Sequence, residues 1–257
     1  MNSYKLMNFI FKRMIRITVW IFLFFVLAEY ISFKTNAAKI NYYYNRFELA
    51  LYQSHINTFF YITFLLILVA FGVTIISFYM GNKSIYSVLS LPIHPFNIIF
   101  SFIVPCVINL VILFSLQILL IIYFGQMLPS FFNSSITIDT FMNNYILMGV
   151  IRFTPTSFLF PLNIKEGLKP LYLLITPSIA VAYGVFMSMH RKYVSLFFLA
   201  IYFYSCLYIL ASRFESSGSA ATSFFNFSFL SVLWNFLIIP GFMYFRMLIV
   251  VKGRSIV

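Results

Sequence analysis

Side chains able to do acid–base, metal or nucleophilic chemistry are scarce in this chain of 257 residues. Its five acids are Glu29, Glu48, Asp139, Glu166 and Glu215, and its three histidines are His55, His94 and His190. Metal-assisted or proton-shuttling catalysis inside a membrane needs such groups clustered at ligand spacing, and here they are scattered singly. The histidines fall at loops or span ends, so paired intramembrane haem ligands are excluded. The two cysteines, Cys106 and Cys206, lie in apolar stretches and supply neither a disulfide framework nor a zinc site; they read as packing residues. A lipid- or prenyl-modifying enzyme would show Asp-rich pairs, a Glu-Glu pair or a His-x-x-x-His arrangement, and none occurs. The chain is therefore expected to be no enzyme and to bind no cofactor itself. Two charged residues remain as candidate substrate or gate contacts, Glu29 near the end of an apolar run and Arg152 within a less regular one.

The elements that must position these residues are set by composition. Hydrophobic residues make up 62% of the chain and charged residues 9%, whereas a soluble domain carries about 25% charged residues. The expected fold class is an all-α membrane protein with one transmembrane domain over residues 1–257. Spans are expected at about 16–33, 57–79, 98–124, 170–189, 193–212 and 224–250, each near the length needed to cross the hydrocarbon. A further stretch, 141–162, contains Arg152, Asn143 and Asn144, whose cost offsets its apolar residues.

Charge bias decides between six and seven spans. With six, and both termini cytoplasmic, the inner side collects Lys5, Lys12, Arg13, Arg16, Lys83, Arg191, Lys192, Arg246, Lys252 and Arg254. The outer side keeps Lys34, Lys39, Arg46, Lys165, Lys169 and Arg213, which obeys the positive-inside rule. A seventh span would move the Arg191-Lys192 pair and the basic carboxyl end outside. The segment 126–169 then reads as an outer re-entrant or interface-lying hairpin, and the Tyr-rich loop 34–56 suits an aromatic belt. Because the cations border apolar runs instead of forming a basic stripe, the formal net charge of +12 speaks for orientation and not for nucleic acid.

Two cytoplasmic pieces carry further information. At 100° per residue Lys5, Asn8, Lys12 and Arg16 share one side of a helix, with Leu6, Ile10 and Met14 among the apolar residues opposite. This predicts an amphipathic elbow helix on the inner leaflet, its cations meeting anionic lipid headgroups. Between the second and third spans lies Lys83-Ser84-Ile85-Tyr86-Ser87-Val88-Leu89-Ser90-Leu91-Pro92-Ile93-His94-Pro95. Gly81-Asn82 ends one helix, Ser84 starts a short one, and Pro92 terminates it. The result is a short, stiff cytoplasmic helix held between two spans, through which a partner would move both.

This order resembles the permease subunits of the ABC-2 class of ABC exporters, including the exporters of bacteriocins and phenol-soluble modulins. The layout covers nearly the whole chain, while the local motif spans about a dozen residues. The resemblance implies that the short helix is a coupling helix docking on a separately encoded ATPase. Carried over position by position, Lys83, Ile85, Tyr86, Leu89, Leu91 and Pro92 would form the docking surface, with His94 and Pro95 continuing it. The chain departs from the family in its short Ser-rich loop 213–223, where family members often place re-entrant helices.

Gly81-Asn82-Lys83-Ser84 lacks the glycine spacing of a P-loop, so ATP and Mg would be bound by the partner ATPase. Six spans are few for enclosing a pathway, which implies a second permease, identical or related. An aromatic-rich chain with 35 Phe and 18 Tyr and almost no ionisable group in its spans suits an amphipathic peptide entering from the bilayer. The expected location is the bacterial cytoplasmic membrane. The alternative reading is a membrane-embedded immunity or sensor protein that binds a peptide without moving it.

Overall fold

The structure, a computed structural model, describes residues 3–37, 51, 53–80, 94–127, 168–189 and 239–252. These form five α-helices: α1 (Ser3–Ala37), α2 (Ile56–Met80), α3 (Pro95–Met127), α4 (Leu168–Met189) and α5 (Ile239–Lys252). Three of them, α1, α2 and α3, are long and apolar enough to cross a membrane. Shorter apolar stretches occupy Leu174–Ser188 and Ile239–Val251. The expected spans at 57–79, 98–124 and 170–189 coincide with α2, α3 and α4, and α5 covers the end of 224–250. The expected span 193–212, nearly all of the outer segment 126–169 and the coupling segment 83–93 lie outside the described residues.

The first span requires a correction. No break separates an amphipathic elbow from a membrane helix; α1 is one helix of 35 residues, about 52 Å at 1.5 Å per residue. Its sequence contains neither glycine nor proline, the usual causes of a sharp kink. The buried positions keep step along its whole length: Leu6, Ile10, Met14, Thr18, Phe22, Phe25, Glu29 and Phe33, spaced by three or four residues. Lys5, Lys12, Arg13 and Arg16 are all exposed on the other faces of its first half. Between Arg16 and Lys34 the exposed positions carry apolar side chains, among them Trp20, Leu23, Phe24, Leu27 and Ile31.

The same inversion holds for the other long helices. Ile62, Leu65, Val69 and Val73 of α2 are exposed, as are Phe100, Val111 and Leu119 of α3, while Thr63, Thr74, Asn109 and Gln117 are buried. Apolar outside and polar inside is the distribution lipid favours, since a polar side chain facing hydrocarbon finds no partner there.

The helices form two compact units. One comprises Met1–Phe11, Phe71–Pro105 and Ile175–Val257, the other Lys12–Ala70 and Cys106–Leu174. The first is held by rings. Phe9, Phe78, Phe102 and Phe186 follow one another edge to face, with centroid separations of 5.9, 5.6 and 5.8 Å, the arrangement aromatic quadrupoles prefer. Tyr244 of α5 lies against the Phe96 ring at 5.2 Å and donates its hydroxyl to the Phe96 carbonyl at 2.9 Å.

In the second unit α1 and α3 run parallel. Thr18 meets Asn109 and Phe33 stacks on Phe124 at 4.4 Å, so an equal advance along each helix keeps the two in register. The start of α2 runs the opposite way. The Ser32 hydroxyl donates to the Ser54 carbonyl at 2.6 Å, while Phe60 meets Phe114 at 5.1 Å, and Phe114 is level with Leu23 on the α1 register. Advancing along α2 thus retreats along α1. This up-down-up order is the alternation that three consecutive crossings require.

Gly72 of α2 marks a close approach to α4. A Cβ placed there would stand 3.5 Å from Val181 Cγ1 and 3.8 Å from Val185 Cγ2, ordinary contact with no room beyond it. Gly72→Ala is expected to keep the fold and raise the thermal midpoint of the purified protein, by up to about 1 kcal/mol of helix propensity. Gly72→Leu should lower the midpoint, because the larger side chain would be driven into Val181.

Candidate functional site

Polar side chains within the second unit gather between α1 and α3. Thr18 Oγ1 donates to Asn109 Oδ1 at 2.8 Å, and Asn109 Nδ2 reaches Met14 Sδ at 3.6 Å. That end of the interface is satisfied by an interhelical hydrogen bond, the ordinary role of a polar side chain between membrane helices. Eleven residues further along α1, Glu29 occupies the same buried stripe, fully withdrawn from the surface.

Gln117 of α3 stands beside Glu29 and is also fully buried. The two side chains lie near hydrogen-bonding range, yet no hydrogen bond of regular geometry reaches either carboxylate oxygen of Glu29 or either amide atom of Gln117. Asn57 of α2 is buried too, with its Oδ1 unpartnered. Midway between Ser54 and Phe60, Asn57 lies level with Leu27 on α1, within one turn of Glu29. Phe25 and Phe33, one turn to either side of Glu29 on its stripe, are buried, and Phe33 stacks on Phe124. Three helices therefore bring one carboxyl and two carboxamides to within about a turn of one level, with buried phenylalanines before and after Glu29 on its stripe. Among the described residues no group of three His, Cys, Asp or Glu side chains gathers as a metal centre would need.

No family model, curated protein or solved structure matches the chain. The site must be read from its own chemistry. An ionised carboxylate in an apolar surrounding is costly unless paired, and the usual relief is a cation or a proton. Lys34, the nearest cation in sequence, does not provide it, being exposed. Five residues along a helix is a rotation of about 140°, which turns Lys34 away from the Glu29 stripe. Arg152, the second candidate gate residue, lies outside the described residues.

Of the expected docking surface, Lys83, Ile85, Tyr86, Leu89, Leu91 and Pro92 lie outside the described residues, while His94 and Pro95 are placed. These two start α3. His94 is exposed, its carbonyl accepts from Asn97 N at 2.9 Å and Ile98 N at 3.3 Å, and its Nδ1 accepts from Phe96 N at 3.3 Å. Pro95 takes the first helical position, where its missing N–H costs nothing. The chain leaving 83–93 thus passes directly into a capped 33-residue helix.

The candidates drawn from the sequence include neither Gln117 nor Asn57. A usable signal existed: the spacing Thr18, Phe22, Phe25, Glu29, Phe33 puts the acid on the buried stripe. The partners belong to other helices, and only the Thr18–Asn109 register reveals them.

Glu29→Gln removes an uncompensated buried acid while keeping its volume. It is expected to raise the thermal midpoint in detergent by the equivalent of about 1–3 kcal/mol. Glu29→Lys should lower it, since a longer buried cation would meet Gln117 with nothing to neutralise it.

Proposed function

We propose that this chain is the transmembrane permease subunit of an ATP-driven exporter, six spans with both termini cytoplasmic in a bacterial cell membrane, moving an amphipathic peptide outward. The observation that carries the reading is the open polar pair of Glu29 and Gln117 inside helices whose outer faces are apolar. A protein that only needed to sit in lipid would gain from an apolar or closed pair there; intramembrane ionisable groups typically mark a path or a binding site. The up-down-up order of α1, α2 and α3 further supports a coupling segment between two adjacent crossings.

Energy would enter through 83–95. This segment connects α2 to a capped α3 with prolines at 92 and 95, so a partner that shifts it would displace the start of α3 without loop slack. The partner is a separately encoded ATPase that binds ATP and Mg, and a second permease completes the pathway. Hydrolysis belongs to the partner, and this chain does no catalysis.

Pull-down of the tagged full-length chain from its native membrane is expected to bring down a P-loop ATPase. Tyr86→Ala combined with Leu89→Asp should cut the recovered ATPase about tenfold or more, with the permease thermal midpoint unchanged. A Ser87→Cys variant should react with an impermeant maleimide only after the inner face is opened. Labelling of intact cells at this position would refute the reading; peptide binding with no ATPase recovered would favour the immunity or sensor alternative.

A further inference from the structure

We propose that Glu29, Gln117 and Asn57 form a binding site for a primary ammonium group, and hence that the cargo is a cationic amphiphile such as a lysine-bearing peptide. The cargo clause rests on the exporter reading; the site itself does not.

The donor and acceptor count argues for this ligand. Among the described residues Glu29 Oε1 and Oε2, Gln117 Oε1 and Asn57 Oδ1 are open acceptors, and Gln117 Nε2 is an open donor. An ammonium offers three N–H donors and no acceptor. One can go to a Glu29 oxygen, one to Gln117 Oε1 and one to Asn57 Oδ1, leaving Gln117 Nε2 to donate to the other carboxylate oxygen. All five atoms are then satisfied, and the carboxylate has the counter-charge that burial demands.

Other occupants fit less well. A proton on Glu29 would neutralise the acid but would leave Asn57 Oδ1 still without a donor. An alkali cation needs a fuller shell of oxygens, which membrane proteins commonly complete with carbonyls of unwound helices. Glu29 and Gln117 both lie well inside continuous helices, whose carbonyls are committed to the backbone ladder. A quaternary ammonium has no N–H and would leave both carboxamide oxygens unsatisfied. Phe25 and Phe33, buried one turn to either side of Glu29, make the surroundings apolar, which favours a cation with an alkyl body.

Long-range electrostatics single out the same place. The chain carries 17 Lys and Arg against five acids, so a cationic ligand is repelled by most of the molecule. Glu29 is the one acid among the described residues of its helices.

The test uses the full-length chain in phosphatidylcholine nanodiscs with n-hexylamine as probe and n-hexanol, hexyltrimethylammonium and sodium chloride as comparators. Hexylamine should raise the thermal midpoint of the wild type above that seen with any comparator, with saturation. Gln117→Leu should weaken the apparent affinity about five- to tenfold. Glu29→Gln should abolish the response while remaining folded, its midpoint in the absence of probe no lower than wild type. The hexylamine-minus-hexanol infrared difference spectrum of the wild type should contain a carboxyl signal that is missing in Glu29→Gln. An equal shift with hexanol or sodium chloride, no shift with hexylamine, or a hexylamine response that survives in Glu29→Gln would overturn the assignment. Failure here with an ATPase still recovered sinks the site alone, whereas amine binding with no ATPase recovered sinks the exporter reading alone.

Discussion

The hydrogen bond from Thr18 to Asn109 is the contact on which the second unit turns. In hydrocarbon no water competes for these groups, so each must find the other, and that requirement fixes how far α1 has slid along α3. An interhelical bond of this kind is worth only about 0.6–2 kcal/mol, less than the apolar contacts around it. Its importance lies in selectivity. Leucine- and phenylalanine-rich faces pack tolerably in several registers, and a polar pair permits one. With that register chosen, Phe33 lands on Phe124, Glu29 comes beside Gln117, and the start of α2 brings Asn57 to their level.

The other unit solves the same problem with different chemistry. Phe9, Phe78, Phe102 and Phe186 make a run of edge-to-face rings, and the tyrosine hydroxyl of Tyr244 satisfies itself on the Phe96 carbonyl. Nothing ionisable is left open in that ring chain. Among the described residues the contacts of that unit are closed, whereas the other holds three side chains with unspent hydrogen-bonding capacity. A buried group without a partner is destabilising by about 1–3 kcal/mol, and the concentration of such groups at one level of one unit is what the proposed ammonium site rests on.

Much of the helical content is legible in the sequence because a lipid-crossing helix must be apolar for about 20 residues, a constraint that leaves a long, unmistakable run. The stretch from Ile56 to Met80 shows it, with hardly a polar side chain in its middle. The continuity of α1 was harder to read. Its first turns alternate charge and apolar side chains as a surface helix does, and the switch to wholly apolar faces after Arg16 looks like a boundary. Yet the buried stripe passes through that switch without losing step, and no glycine or proline is present to break the helix. Periodicity of the buried face was the better guide to where the helix continues; composition of the exposed face only reports which solvent surrounds it.

The candidate site was half legible for a related reason. Glu29 announces itself, since a single acid in an apolar run is conspicuous, but the sequence alone does not say which side chains face it. Gln117 and Asn57 look like incidental polar residues until the register brings them level. What makes the three cohere is that each alone has an inexpensive alternative. Glu29 could be leucine, Gln117 could be leucine, and Asn57 could be serine capping its own helix. A packed interface that served only to hold α1, α2 and α3 together would be better made from such residues, as the Phe60–Phe114 contact a turn away already is. That a carboxyl and two carboxamides stand open together is the ground for the proposed site, and the chemistry they share is the acceptance of N–H donors beside a negative charge.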